Sequence, residues 1–303
     1  MNETIETREL FVLDGLDLNT RGTYHKTHDN RCGAQLNLIE PKRIGILFLN
    51  SASPTRAEYS DAAVYLADSF AEYGYPSFRL DLPGFGDSEG DTPTELLGFI
   101  SHGGYASIAS VKIRELLARF NLSGVVLVGQ CAGAVSAIYT ADAISGCRGL
   151  VLLDPYFHLP HSMSPKIRGQ LHLLILQSRL GGVLRRTHGL LKEIRLFLRG
   201  NVPPENANLP LLRRWKEVAC RGLPILILKV PSGKAHDMKP RIGEFDYVKY
   251  ILGLAGRRNE VIIKLLDGAD HSFTSLQSRV IVRQRTEEWL NTYFPLVKYE
   301  GVW

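Results

Sequence analysis

Residues 125–133 read Val-Val-Leu-Val-Gly-Gln-Cys-Ala-Gly, an apolar strand that runs into a cysteine bracketed by glycines and then into a helix-forming stretch. A chain that turns this sharply from strand to helix around one residue lifts that side chain out of the backbone at the carboxyl edge of a sheet. Gly129 and Gly133 stand where side chains would collide with the neighbouring strand and helix. The raised residue is Cys131, and its position points to nucleophilic chemistry through a thiolate. A buried structural thiol is the ordinary fate of a free cysteine. The glycine bracket and the strand-turn-helix setting favour the nucleophile.

Around this turn the chain keeps a regular rhythm. Apolar runs of strand length are expected at Glu9–Leu13, Gly22–Lys26, Ile44–Asn50, Ser77–Asp81, Gly124–Gly129, Gly149–Asp154, Pro224–Val230 and Val261–Asp267. Helical periodicity marks Tyr59–Tyr73, Tyr105–Phe120, Ala132–Ile144, Ile242–Ala255 and Ser278–Tyr293. Strands alternating with helices predict an α/β architecture, a mostly parallel eight-stranded sheet with helices on both faces. The first two strands have no helix between them and are expected to form an antiparallel edge. Residues 27–43 read as an irregular connection.

One segment breaks the rhythm. Residues 155–222 carry helical periodicity, notably at Leu171–Leu180 and Leu184–Leu198, and no convincing strand. They read as a helical cap over the carboxyl edge, inserted into a core made of 1–154 and 223–303. The cap holds twelve Lys and Arg against three Glu and no Asp, while the whole chain carries only +5. The rest of the chain is therefore slightly acidic. A basic cap on such a body points to an anionic partner or substrate. Ile167–Arg199 mixes leucines with arginines like a pair of basic amphipathic helices. Three readings stay open for it: a solvated cover whose leucines enclose a site, a dock for an acidic acyl-carrier protein or the phosphates of coenzyme A, and a membrane-surface contact.

Other classes are disfavoured. The 303 residues, 45% hydrophobic and 22% charged, suit one large globular unit with an insertion. No apolar run reaches the ~18 residues of a membrane span. The first residues, MNETIETRE, are polar and acidic with no apolar signal core, so a cytoplasmic location is expected. Cys32, Cys131, Cys147 and Cys220 fit neither a disulfide framework nor a zinc site, in keeping with a reducing compartment. His158 and His161 form H-x-x-H without a third ligand, a poor metal signal. The glycines at 129–133 lack the G-x-G-x-x-G of a dinucleotide loop, and no G-x-x-x-x-G-K-[ST] is present. Basic residues without interleaved aromatics argue against nucleic acid. No metal or organic cofactor is expected.

Four local patterns together resemble the α/β-hydrolase superfamily over about residues 40–295. Ile44–Ser51 (IGILFLNS) resembles the strand leading to the oxyanion loop, with Asn50-Ser51 where His-Gly is usual. Arg79–Gly90 (RLDLPGFGDSEG) is similar to the family's D-x-x-G-x-G-x-S loop, where Asp81 and Asp87 read as turn-formers. Gly129–Gly133 matches the nucleophile elbow, and Asp267–Phe273 (DGADHSF) the late histidine loop. Within the superfamily, RLDLPGFGDSEG resembles serine-aminopeptidase-like and exosortase-associated hydrolases. The elbow cysteine resembles dienelactone hydrolases at that point alone.

The resemblance implies a covalent acyl-transfer enzyme: hydrolase, thioesterase or acyltransferase. Cys131 would be the nucleophile and His271 the general base. The acid stays open. Asp154 ends the strand beside the elbow strand, a placement similar to that in thioesterase domains of assembly-line synthases. Asp237 lies nearer the commoner family position after the next strand, and Asp246 and Glu244 follow it. The N–H groups of Ala132 and Ala52 are the candidate oxyanion donors. An alternative is a protein of this fold without turnover that binds an acyl carrier or an anionic ligand.

Overall fold

The computed structural model describes residues 7–14, 18–27, 43–159, 202–231, 245–256 and 260–296. Eight strands form one sheet: β1 (Arg8–Asp14), β2 (Asn19–His25), β3 (Arg43–Leu49), β4 (Ser77–Leu80), β5 (Leu122–Gln130), β6 (Cys147–Leu153), β7 (Ile225–Lys229) and β8 (Val261–Leu265). Their order is β1-β2-β4-β3-β5-β6-β7-β8. β2 runs antiparallel to both of its neighbours, and every pairing from β4 to β8 is parallel. All eight expected strands are present, and the antiparallel edge lies where the missing first crossover put it.

Side-chain parity explains the layers. Successive residues of a strand face opposite sides. In the central strands Leu47, Leu127, Leu152 and Ile227 join one apolar cluster, while Phe48, Val128, Val151 and Leu226 join the other. Both faces being apolar, both must be covered. Helices α1 (Ala62–Tyr73) and α7 (Leu276–Tyr293) cover one face through Leu66, Phe70, Val282 and Trp289. Helices α3 (Ala106–Arg119), α4 (Ala132–Ala143), α5 (Leu209–Cys220) and α6 (Tyr247–Ala255) cover the other. A short helix not expected from the sequence, α2 (Leu96–Ser101), also packs against α4.

The span expected as a cap is described only at its two ends. Its last part, α5, is a layer helix. Leu211, Trp215 and Val218 are fully buried, and the Trp215 indole N–H donates to Ile251 O of α6 at 2.8 Å. Asn208 caps α5 by accepting from Leu211 N at 3.1 Å, with Pro210 in the first turn. The basic helices expected between 160 and 201 lie outside the described residues, as do Cys32, His161, Asp237 and Glu244. Among the described residues no helix is long and apolar enough to cross a membrane.

Candidate active site

β5 ends at Gln130, and Cys131 follows it with φ 50° and ψ −112°. A non-glycine residue held there costs about 1–3 kcal/mol and persists only where its surroundings over-determine it. Here they do. The Cys131 N–H donates to Leu153 O at the end of β6 (2.9 Å), and the Cys131 carbonyl accepts from Ala134 N in α4 (3.2 Å). A Cβ on Gly129 would lie 2.3 Å from Gly133 O, and one on Gly133 would lie 2.8 Å from Leu49 O. The two glycines therefore let α4 leave the sheet at close quarters, and the cysteine between them is lifted at the strand end.

His271 sits in the turn after β8. Asp270 shapes that turn by accepting from Ser272 N (2.9 Å), Thr274 N (3.1 Å) and the Thr274 hydroxyl (2.8 Å). Phe273 anchors it in the core. Gln130, the residue before the cysteine, donates from Nε2 to His271 O at 2.8 Å. The elbow thus grips the loop that carries the imidazole.

Of the acids left open by the sequence that lie among the described residues, Asp154 is the one bonded to His271. It follows β6 with φ 45°, and its N–H donates to Leu228 O at 2.7 Å. Its Oδ2 lies 2.5 Å from His271 Nδ1. Its Oδ1 accepts from Val230 N at 3.3 Å and from the ammonium of Lys229. Asp246 is placed elsewhere: it caps α6, accepting from Lys249 N at 2.9 Å.

The electrostatics follow from these contacts. Burial alone would raise the Asp154 carboxyl, but His271 and Lys229 together outweigh it and hold it below the usual carboxylate range. The imidazole is pushed up to about 10, first by its hydrogen bond to Asp154, then by the Cys131 sulfur, against partial burial. His271 remains half exposed, while the Asp154 side chain is only 9% exposed. A buried acid holds a half-exposed imidazole, and the raised thiol acts on the charge of the same ring. Such a set can move a proton to or from a group attacked by sulfur.

The loop expected to hold the oxyanion is built differently from the His-Gly form. Asn50 Oδ1 accepts from Leu82 N at 2.8 Å and Nδ2 donates to Asp81 at 3.3 Å. Ser51 gives both its N–H (2.8 Å) and its hydroxyl to Glu58. Burial holds the Glu58 carboxyl above its usual range, against those two bonds. Among the described residues the Ala52 N–H has no acceptor. Ala132 opens α4, so its N–H has none within the helix. Asp81 also accepts from Arg56 N (2.6 Å) and Asp87 N (3.3 Å), so it anchors turns, as its motif implied.

Three residues at the site were not singled out in the sequence: Gln130, Lys229 and Glu58. Gln130 adjoins the cysteine and carries a local signal. Lys229 closes a strand, and Glu58 precedes a helix, and nothing near either in sequence marks it. The H-x-x-H histidine His158 instead pairs with Ala207 in an isolated bridge and packs its ring on Tyr156. Cys147 is buried, its thiol pushed up to about 12, and Cys220 is exposed.

Solved structures share this arrangement of chain. An esterase of Pyrococcus furiosus, Pf2001, superposes with a TM-score of 0.58 at 12% identity, covering 94% of this chain and 91% of its own. DcsB, solved with a substrate analogue, gives 0.56 at 14%, covering 94% and 99%. Alpha/beta hydrolase domain-containing protein 10 from mouse gives 0.52 at 14%, covering 94% and 99%. Identities this low carry the fold alone. No curated protein sequence matches the chain. The model of the alpha/beta hydrolase family matches residues 46–284, from β3 into α7. With its eight-stranded sheet and helices on both faces, the chain belongs to the alpha/beta hydrolase family.

Proposed function

We propose that the protein is an acyl-transfer enzyme that acts on an ester or thioester through Cys131, His271 and Asp154. The observation that carries this reading is the bond from the buried Asp154 to the His271 imidazole, a ring whose charge also responds to the Cys131 sulfur raised at the end of β5. The thiolate of Cys131 is the nucleophile of the reaction. The thiolate attacks the carbonyl carbon, and the C–S bond forms as the carbonyl π pair moves onto oxygen. The N–H groups of Ala52 and Ala132 receive that oxyanion. On collapse the leaving oxygen or sulfur departs with its bonding pair and takes the imidazolium proton. The neutral imidazole then removes a proton from water or another acceptor as it attacks the acyl-enzyme, and the thiolate leaves.

Sulfur is a soft nucleophile suited to activated acyl groups, and its acyl-enzyme can pass the acyl group to an acceptor other than water. Transfer and cyclisation therefore stand beside hydrolysis. The basic 155–222 segment supports an anionic carrier, an acidic acyl-carrier protein or coenzyme A, as the bearer of the acyl group. A working thiolate suits a reducing, cytoplasmic setting.

Intact-protein mass spectrometry after exposure to short activated thioesters or aryl esters tests the reading. The expected result is one acyl adduct, mapped to Cys131 and absent from Cys131→Ala. The same adduct in Cys131→Ala would remove the cysteine from the chemistry and leave the binding-protein alternative.

A further inference from the structure

The carboxylate that orients His271 has two cationic neighbours. His271 takes Oδ2 at 2.5 Å, and the ammonium of Lys229 takes Oδ1. Lys229 is the last residue of β7, the strand next to β6, and its neighbour Val230 gives its own N–H to the same Oδ1 at 3.3 Å. The ammonium also reaches Pro155 O at 3.4 Å, so it is held on the chain just past Asp154. The Lys229 side chain is 32% exposed, partly withdrawn from water.

A structural ion pair is one account of this contact. Asp154 does not need it, because its Oδ1 already has a backbone donor and its Oδ2 the imidazole. What Lys229 adds is charge. Along the line from the sulfur the charges alternate: Cys131, His271, Asp154, Lys229. A positive group on the far oxygen draws negative charge away from the oxygen that faces the imidazole and repels the imidazolium through it.

We infer that Lys229 is a positioning residue for the catalytic centre: it shares the Asp154 carboxylate with His271, fixing the carboxylate in place and weakening its hold on the imidazolium proton. This rests on the proposed roles of Cys131, His271 and Asp154. Its consequence is kinetic. The imidazole must release its proton to the leaving group and then work as a base for the second step. A carboxylate left wholly to His271 would keep the ring protonated and slow that step near neutral pH.

Among the described residues the titratable groups around this line are few. Tyr156 stands on the sulfur side, its phenol pushed up by burial and then by Cys131. Asp270 adjoins His271 in sequence, but its carboxylate is engaged in its own turn by Ser272 and Thr274. Neither faces Asp154 as Lys229 does.

The test is a titration of the His271 ring by NMR in the full-length Cys131→Ala protein, where the sulfur no longer holds the imidazolium. Adding Lys229→Met is expected to move the His271 midpoint upward by about one pH unit. Lys229→Arg is expected to leave it near that of the Cys131→Ala parent. In the cysteine-containing enzyme, Lys229→Met is expected to shift the rising, low-pH limb of acyl-enzyme breakdown the same way. A lysine that served structure alone would lower the melting temperature without moving either midpoint, and that result would overturn the inference. If Lys229→Met does not fold, Lys229→Gln carries the same expectation. A His271 midpoint in Cys131→Ala no higher than a free histidine would mean that Asp154 does not hold the ring. That outcome would sink the triad as well. An unmoved midpoint starting from a raised value would sink only the role of Lys229.

Discussion

Among the described residues two histidine–aspartate pairs have nearly equal length and opposite character. His25 of β2 lies 2.7 Å from Asp68 of α1, and His271 lies 2.5 Å from Asp154. The His25 side chain is wholly buried, and its second nitrogen accepts from Arg79 Nε at 2.8 Å. Asp68 is also held by Arg8 Nε at 2.9 Å. Burial, with the Arg79 and Arg8 cations, lowers the His25 imidazole in spite of Asp68. That ring is neutral, with one nitrogen donating and the other accepting, and it has no proton to deliver. The His271 ring is bonded to a carboxylate, has half of its surface in water, and is pushed up to about 10 by Asp154 and then by the Cys131 sulfur. A carboxylate partner does not make a histidine catalytic. In the proposed reading what acts on the rest of the ring separates the two: a fixed cation makes His25 a strut, and the Cys131 sulfur makes His271 a proton carrier.

The largest expected contrast is in rate. His271→Ala should lower acylation of Cys131 by about 10²–10⁴-fold, measured as the appearance of the acyl adduct, with little change in the denaturant midpoint. His25→Ala should do the reverse. It takes one partner from buried Arg79, which keeps the Arg56 carbonyl, and one from Asp68, which keeps Arg8, so a loss of about 1–3 kcal/mol is expected by urea unfolding, with the acylation rate of the folded protein retained. Loss of acylation in folded His25→Ala would mean that the two pairs are coupled.

Next in size is Asp154→Asn. The amide keeps the shape of the carboxylate but favours the wrong ring tautomer, and a fall in rate of up to about 10⁴-fold follows. The His271 midpoint should drop from its value near 10, because the first cause of the upward shift is gone. A His271 titration unchanged in Asp154→Asn would transfer the acid's role to another residue.

The smallest effect is the pH dependence of stability, and the two histidines should bend it in opposite directions. The folded midpoint of His271 is above its unfolded 6.5. Its stabilising contribution is therefore complete below about pH 6.5 and is lost as pH rises toward about 10. The folded midpoint of His25 is below 6.5. Its contribution is present above that value and is lost as pH falls, because the unfolded ring takes up a proton that the buried ring resists. Melting curves from pH 5 to 10 for His25→Gln and His271→Gln should lose opposite slopes. Parallel changes would contradict the assignment.

The elbow and the histidine loop could be read directly from the chain because each is local. Gly129, Cys131 and Gly133 act within one turn, and Asp270 builds the His271 loop within four residues. The strands were legible for the same reason: parity and apolar runs repeat over short windows, so even the antiparallel start of the sheet followed from the lack of a helix. Helix α5 was read as part of a cap because its period says helix but not which surface will bury it. Trp215 settles in the core only when α4 and α6 flank it.

Local chemistry thus named a nucleophile and a base, since backbone geometry and glycine placement are written over a few neighbouring residues. The choice of Asp154 over Asp246 depended on parallel register. Residues 117 positions apart meet because β6, β7 and β8 lie side by side and end at the same edge. Lys229 and Glu58 entered the site in the same way, through space. Charges act over distance and direction, and folding sets both where spacing along the chain does not.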